Sequence, residues 1–205
     1  MGGPAAEPGG RGSGASCARS SADDERAARA RTPAVRADGK PDADPPALEL
    51  MLPDLAGLIA ALHDGEVRFV VIGAVAVGAH GHIRATQDLD IVPEPRHTNL
   101  DHLGNVLVAL DARLSADQRR GIDAELRHAL YAGRNLTLTT RIGDLDIVQR
   151  LPGVPPWPEL VAAAEQTTLG GVPLAVCSRE HLIAMKQARH SLQDQADVAA
   201  LLAEQ

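Results

Sequence analysis

The segment from Phe69 to Val92 reads FVVIGAVAVGAHGHIRATQDLDIV, and its order of apolar, small and acidic residues predicts the fold. The run Val67–Ile72 is almost wholly apolar and ends at a glycine, which is typical of a buried strand. Small apolar residues from Ala74 to His80 predict a short helix packed closely on a sheet. A second strand, Leu89–Val92, then ends before Pro93. The segment therefore predicts a strand, a tight helix and a returning strand.

Two aspartates, Asp88 and Asp90, alternate with apolar residues at the second strand. Side chains at i and i+2 of a strand share a face about 6.6 Å apart, so both carboxylates would point away from the core. Mg²⁺ prefers hard oxygen ligands and keeps waters and substrate phosphates around it. Two such ions about 3.5–4 Å apart can stabilise the attacking and leaving oxygens of a phosphoryl transfer. The pair therefore predicts a divalent metal site.

A third aspartate lies in a similar apolar setting, in Leu145-Asp146-Ile147-Val148. If its strand neighbours the first one, Asp146 would meet Asp88 and Asp90, and their mutual repulsion would call for cations. The alternative is that each aspartate merely solvates an edge strand, but Asp is depleted in strands, which favours a site. Asp144 is a rival on the same strand face. It sits in a Gly-Asp turn, where Asp is common for local reasons, so we prefer Asp146.

The turn at Gly73 lies where a phosphate-binding turn would be expected, between a buried strand and a helix. Glycine lets the backbone approach a phosphate, and the N–H groups from Ala74 onward are free to bind an anion. An ordinary strand-to-helix turn is the alternative. His80 is predicted to be a C-terminal cap or core-edge histidine rather than a general base. Arg84 could bind a phosphate or form a structural ion pair, for instance with the carboxylates, and the sequence does not decide between these two roles.

Taken together, these residues resemble the signature of the polymerase-β-type minimal nucleotidyltransferases. The segment 73–90 is most similar to the branch of AbiEii-like toxins, whose pattern runs G-[GA]-x-A-x-x-x-H-G-x-x-R-x-T-x-D-h-D. The likeness extends to 143–148, to 182–189 and to Asp194-x-x-Asp197. It implies an α+β (α/β) nucleotidyltransferase fold with a mixed β-sheet flanked by helices and short C-terminal helices. It also implies two divalent ions, Mg²⁺ or Mn²⁺, and an NTP such as ATP as substrate.

The resemblance also assigns roles to individual residues. The catalytic and metal-binding residues would be Asp88, Asp90 and Asp146. The nucleotide-binding residues would be Gly73, Ala74, Arg84, Thr86, Lys186 and Arg189. Taken alone, Lys186 reads as a solvated helix lysine rather than a triphosphate contact, and Asp194 as a residue favouring the start of the last helix.

The chain departs from the broader superfamily at two places. Ala74 stands where serine is common, so no hydroxyl is available there. The stretch Arg189–Asp194 stands where Arg-Pro-Lys-Asp is familiar, which leaves the role of Asp194 open.

The rest of the folded region predicts alternating helices and strands in a mixed sheet. We expect helices at Leu52–Gly65, Asn99–Asp111, Ser115–Leu130, Pro156–Gln166, Ser178–Arg189 and Ser191–Ala203. We expect further strands at Asn135–Ile142 and Leu145–Gln149, and a strand pair at Thr167–Cys177. Ser115, Ser178 and Ser191 are the predicted N-caps.

The first 46 residues are rich in Gly, Ala, Pro, Ser, Arg and Asp and show no apolar periodicity, so they predict a disordered tail. Alternatively, Met51 is the natural start and the tail is a gene-model extension. The nucleotidyltransferase domain is expected at 47–205, after this tail. The tail holds seven basic and seven acidic residues, so the net charge of −7 falls on the domain.

Composition narrows the choice of function. An acidic domain is a poor non-specific nucleic-acid binder, and one Phe, one Trp and one Tyr cannot form a base-stacking surface. No apolar run reaches the roughly 20 residues of a membrane helix, so no membrane partner is expected. Two distant cysteines, Cys17 and Cys177, fit a reducing cytoplasm.

The leading prediction is an enzyme that moves an NMP from an NTP to an acceptor hydroxyl. By resemblance, the acceptor would be an RNA or tRNA end or a protein, in a toxin–antitoxin or phage-defence setting with a cognate antitoxin. Two alternatives are a metal-dependent nuclease and a non-catalytic protein that binds nucleotide or a partner on the same fold. The nuclease alternative gives no reason for the turn at Gly73 or for Lys186.

Overall fold

The computed structural model describes Gly2 and residues 54–203. Apart from Gly2, the predicted tail lies outside the described residues, and so does Leu52 at the start of the first predicted helix. That helix is present from Leu55, and the Asp54 side chain caps it by accepting a hydrogen bond from the backbone N–H of Gly57 at 2.7 Å.

Within the described residues, the strands form one mixed sheet of eight in the order β4-β3-β5-β6-β2-β1-β8-β7. The strands are β1 (Phe69–Val71), β2 (Asp88–Pro93), β3 (Arg113–Leu114), β4 (Asp117–Gly121), β5 (Leu136–Thr139), β6 (Asp144–Ile147), β7 (Glu165–Leu169) and β8 (Val172–Val176). Two neighbouring pairs, β1 with β8 and β2 with β6, are parallel, and the others are antiparallel. The predicted mixed sheet is therefore confirmed.

Seven helices accompany the sheet in residues 54–203. They are α1 (Leu55–Asp64), α2 (Gly73–Ala79), α3 (His97–Ala109), α4 (Ala124–Tyr131), α5 (Trp157–Ala162), α6 (Arg179–Arg189) and α7 (Leu192–Ala203). None of these helices combines the length and the apolarity that a bilayer-crossing segment requires. The two short helices α6 and α7 at the C-terminal end agree with the expected architecture.

Apolar and acidic residues alternate along the central strands β2 and β6, which gives the sheet a core face and a polar face there. Leu89 and Ile91 of β2 are fully buried, as are Leu145 and Ile147 of β6. The residues between them are aspartates and are only partly buried. This period-two pattern places the apolar side chains in the core and leaves the carboxylates on the opposite face.

The helix predicted over Ser115–Leu130 is wrong in its first half. Residues 113–121 form the β3–β4 hairpin instead, and the Ser115 N–H donates to the Thr137 carbonyl of β5 at 3.0 Å. The helix begins at Ala124, where the Asp123 side chain, not Ser115, accepts from the Leu126 N–H at 2.8 Å. Pairing with the sheet overrides the helix propensity of this polar stretch.

The helix predicted to run to Gln166 stops at Ala162, and Glu165–Leu169 pairs with β8 as strand β7. Both predicted serine caps of the last two helices are confirmed. The Ser178 hydroxyl accepts from the His181 N–H at 3.3 Å, and that of Ser191 accepts from the Asp194 N–H at 3.0 Å.

Candidate active site

The polar face of β2 and β6 brings three carboxylates together. The two strands run parallel with Asp90 opposite Asp146 and Asp88 opposite Asp144. One ligand oxygen from each of Asp88, Asp90 and Asp146 lies within 4.8 Å of the others. The neighbouring strands that the sequence analysis required are therefore present.

This cluster is electrostatically unfavourable without a cation. Burial, followed by the charges of Asp88 and Asp146, raises the pKa of Asp90 to about 6. Burial is also the main cause that raises the pKa of Asp146. Desolvation and like charges both disfavour the ionised forms.

The cluster has the donor chemistry of a divalent metal site. Carboxylate oxygens are the hard ligands that Mg²⁺ and Mn²⁺ take. Oδ1 of Asp146 is buried and has no hydrogen-bond partner within residues 54–203. An orphaned buried acceptor is costly, and a bound cation would satisfy it. The residues present therefore fit such an ion.

Asp144 shares the strand face of Asp146 but does not join the group of converging ligand atoms found in the described residues. Asp88, which lies opposite Asp144 in the sheet, accepts a hydrogen bond from the loop before β2. The Thr86 hydroxyl donates to Asp88 Oδ1 at 2.7 Å. This bond orients a cluster carboxylate, and the nucleotide contact of Thr86 implied by the resemblance stays a prediction.

Gly73 opens α2 next to the cluster. Its φ of +67° lies in the left-handed region, and a Cβ atom there would overlap the Asp90 carboxylate. Glycine is thus required both by the backbone conformation and by the close approach of Asp90. Ala74 follows as a buried residue of the first helical turn.

Arg84 forms the structural ion pair that the sequence left open, but its partner is not a cluster carboxylate. Its Nε and Nη2 donate to Asp197 Oδ1 and Oδ2 at 3.1 and 3.2 Å. Asp197 belongs to α7 and is fully buried. In the sequence, Asp197 belongs to the Asp194-x-x-Asp197 segment of the resemblance, and no role is predicted for it.

Lys186 is not the solvated helix lysine that its sequence setting favours. It is 7% exposed, and its Nζ lies 3.3 Å from Asp194 Oδ1 and 2.6 Å from Asp197 Oδ2. Arg189, one helical turn later, keeps an exposed side chain with its Nε 3.7 Å from Asp194 Oδ2. The positive charges of Arg189 and Lys186 both act to lower the pKa of Asp90.

Asp194 and His80 have local structural contacts. Asp194 Oδ2 accepts from the Ser191 hydroxyl at 2.6 Å, which supports the predicted role at the start of the last helix. His80 is the buried C-cap of α2, and its Nε2 lies 2.8 Å from the Cys177 carbonyl oxygen. These contacts match the predicted cap or core-edge histidine.

A cavity of about 230 Å³ opens beside the cluster. Its lining includes Gly73, Asp90, Asp146, Lys186, Arg189 and Asp194. Asn135 and Thr137 of the β5 region also line it and were not singled out from the sequence. Thr137 lies opposite Asp146 in the sheet, so the register, which the sequence does not give, is what places it there.

Comparison with known proteins supports the fold. No family model and no curated protein matches the sequence. The lincosamide antibiotic adenylyltransferase LnuA, solved with lincomycin bound, superposes with a TM-score of 0.50 at 14% identity, covering 73% of this chain and 94% of that one. An antigenic nucleotidyltransferase-like protein from Paracoccidioides brasiliensis gives a TM-score of 0.46 at 18% identity, covering 75% and 77%. The chain has the nucleotidyltransferase fold.

Proposed function

We propose that this protein transfers a nucleoside monophosphate from an NTP to an acceptor hydroxyl, with divalent metal ions. The observation that carries the proposal is the convergence of Asp88, Asp90 and Asp146 beside the turn at Gly73. The nucleotidyltransferase fold agrees with it. Ion binding would also relieve the repulsion that raises the pKa of Asp90.

The three aspartates would hold the ions, Mg²⁺ or Mn²⁺. When bound, these ions would offset phosphate charge and favour ionisation of the attacking hydroxyl. In the transfer, the acceptor oxygen forms a bond to the α-phosphorus. The bond between the α-phosphorus and the oxygen that bridges it to the β-phosphate breaks, and pyrophosphate leaves with that oxygen. Asp146 would complete the metal site near the attacking hydroxyl, and its carboxylate would take the hydroxyl proton.

The positive side of the cavity would bind the phosphates. Arg189 has an exposed guanidinium that can reach them, while the Lys186 ammonium lies at the cavity wall. Backbone N–H groups after Gly73 would add to this binding. Such a site would act mainly through positioning and through stabilisation of developing charge.

The acceptor is a separate question. The resemblance to AbiEii-like toxins favours an RNA or tRNA end or a protein hydroxyl, with a cognate antitoxin in a toxin–antitoxin setting. LnuA is named for a lincosamide antibiotic, so a small hydroxylated compound is a further acceptor class to test. ATP is the first nucleotide to try.

The test is incubation with each α-labelled NTP and Mg²⁺ or Mn²⁺, with pools of tRNA, protein and small hydroxylated compounds. Transfer of label to any of them, identified by mass spectrometry, is the expected result. Shortened RNA without label would support the nuclease instead. Nucleotide binding with no transfer to any pool would support a non-catalytic protein.

A further inference from the structure

Asp197 lies at the centre of a buried charge network that joins three segments of the chain. Its carboxylate accepts two hydrogen bonds from Arg84, at 3.1 and 3.2 Å, and one from Gln193 at 2.9 Å. Lys186 Nζ lies 2.6 Å from its Oδ2. The side chain is 0% exposed, so it cannot itself touch a substrate. Whatever it does for the site, it does through these partners.

The network is held together by opposite charges, which makes each member depend on the others. Arg84 and Lys186 pair with Asp197, and Lys186 and the exposed Arg189 pair with Asp194. Removing one member of a buried ion pair leaves a partner charged and desolvated, which is strongly unfavourable. Without Asp197, Lys186 would keep only Asp194, and Arg84 would lose both of its charged hydrogen bonds.

Two branches lead from Asp197 to the carboxylate cluster. In the first, Lys186 lines the same cavity as Asp90, and its charge acts on that carboxylate. In the second, Arg84 stands in the loop whose Thr86 hydroxyl donates to Asp88 at 2.7 Å. A single side chain of α7 thus holds the cation at the cavity wall and the loop that orients a cluster carboxylate.

We propose that Asp197 is a positioning residue of the nucleotide site: by holding Lys186 and Arg84, it sets the affinity of the cavity for the phosphates of an NTP. This inference rests on the proposed function, because it takes the cavity to be an NTP site. It gives α7, which lines the cavity through Asp194, a second part in that site although the helix contributes no carboxylate to the cluster.

The first experiment compares Asp197→Asn with the matched control Glu94→Gln. Glu94 is also a buried carboxylate with two basic partners, Arg68 at 3.1 Å and Arg96 at 3.7 Å. It lies four residues beyond Asp90 in the chain, about 13 Å away along the strand direction. Both variants lose one buried charge, so both should lower the melting temperature.

Only Asp197→Asn should change the handling of nucleotide. We expect the Kd for a non-hydrolysable NTP analogue with Mg²⁺, measured by equilibrium dialysis, to rise about tenfold or more. KM for the NTP should rise by a similar factor, with a smaller change in kcat. An unchanged Kd in Asp197→Asn, or an equal rise in Glu94→Gln, would overturn the positioning role.

A double-mutant cycle between Asp197 and its two basic partners keeps the test decisive if Asp197→Asn does not fold. Adding Asp197→Leu to a variant with Arg84→Leu and Lys186→Met leaves no unpaired member of these two ion pairs, and replacing buried ion pairs by apolar residues is often neutral for stability. If Asp197 acts through Arg84 and Lys186, adding Asp197→Leu to the variant that lacks both should weaken binding of the analogue no further. A further tenfold loss on that addition would show that Asp197 does not act through these two partners.

Failure of this inference differs from failure of the proposed function. If the unaltered protein binds no NTP with any tested metal, the proposed function and the inference fall together. If it binds NTP and the Asp197 variants bind equally well, only the inference falls.

Discussion

The carboxylate of Asp90 occupies the space that a Cβ atom on Gly73 would need. Because Gly73 also has a φ of +67°, side chain and backbone both exclude a larger residue there. The predicted role of Gly73 in a phosphate-binding turn is compatible with its packing against the Asp90 carboxylate. The close approach brings the start of α2 and the carboxylate cluster into one wall of the cavity.

We therefore expect Gly73→Ala to destabilise the protein by at least about 1–2 kcal/mol from the backbone conformation alone, with a further cost from the overlap with Asp90. Gly78 provides the control in the same helix, because a Cβ atom added there meets nothing within 4 Å. Gly78→Ala should be neutral or stabilise by about 0.5–1 kcal/mol. Urea unfolding measures both. Equal stabilities for the two variants would contradict the packing of Gly73 against Asp90.

The raised pKa of Asp90 predicts a pH-dependent stability in the absence of metal. The pKa of Asp90 is about 6 in the folded protein, whereas the ordinary pKa of an aspartate is 3.8. Between these values the folded state binds more protons than the unfolded state, so this group makes stability fall as pH rises. Asn cannot titrate, so Asp90→Asn should melt a few degrees above the unaltered protein at pH 8 in EDTA.

That difference should vanish as the pH falls from about 6 to below 4, where Asp90 is protonated in both states. Melting curves across this range, with and without Mg²⁺, measure the effect. Mg²⁺ should raise the melting temperature of the unaltered protein more than that of the variant. A melting difference that is constant with pH would show that burial and repulsion do not act on Asp90 as described.

Asp88→Asn should lower nucleotide transfer by about a hundredfold or more, because charge stabilisation at the transferring phosphate is normally the largest catalytic contribution. The fold should survive, since removing one of several repelling carboxylates favours the folded state. Asp64→Asn is the control, because Asp64 is an exposed residue at the end of α1. A transfer rate in Asp88→Asn equal to that of the control would remove the site assignment.

The Thr86 hydroxyl orients Asp88, so Thr86→Val should weaken metal use without removing a ligand. Losing a hydrogen bond to a metal ligand typically costs about 10–100-fold in metal affinity or activity. We expect the Mg²⁺ concentration for half-maximal transfer to rise about tenfold. Thr168→Val, at an exposed position of β7, provides the control. The same Mg²⁺ dependence in both variants would argue against this role of Thr86.

Period-two alternation predicted the core of this site from the sequence. It placed Asp88, Asp90 and Asp146 on polar faces of two strands, and the tight spacing around Gly73 predicted the intervening helix. Alternation is local, however, and does not give the order of strands in a sheet. That β6 lies parallel to β2, with Asp146 opposite Asp90, is a long-range fact that only the structure supplies.

The long-range contacts explain what the sequence analysis missed. Arg84 and Asp197 are 113 positions apart, so no local pattern links them. Lys186 has the helical setting of a solvated lysine, but in the structure it is buried and forms ion pairs with Asp194 and Asp197 of α7. The β3–β4 hairpin was mistaken for a helix because its residues favour helices locally. Gly121 within the predicted helix and the capping residue Asp123 were the available signs against it.

The parallel pairing of β2 with β6 has a consequence for biosynthesis. A nascent chain that has left the ribosome only as far as β5 carries Asp88 and Asp90 but lacks their third partner, which arrives with β6. Parallel partners so distant in sequence pair slowly, because the loop between them must first be closed. Metal-dependent chemistry should therefore appear only after translation has passed this strand, so unfinished chains would be inert.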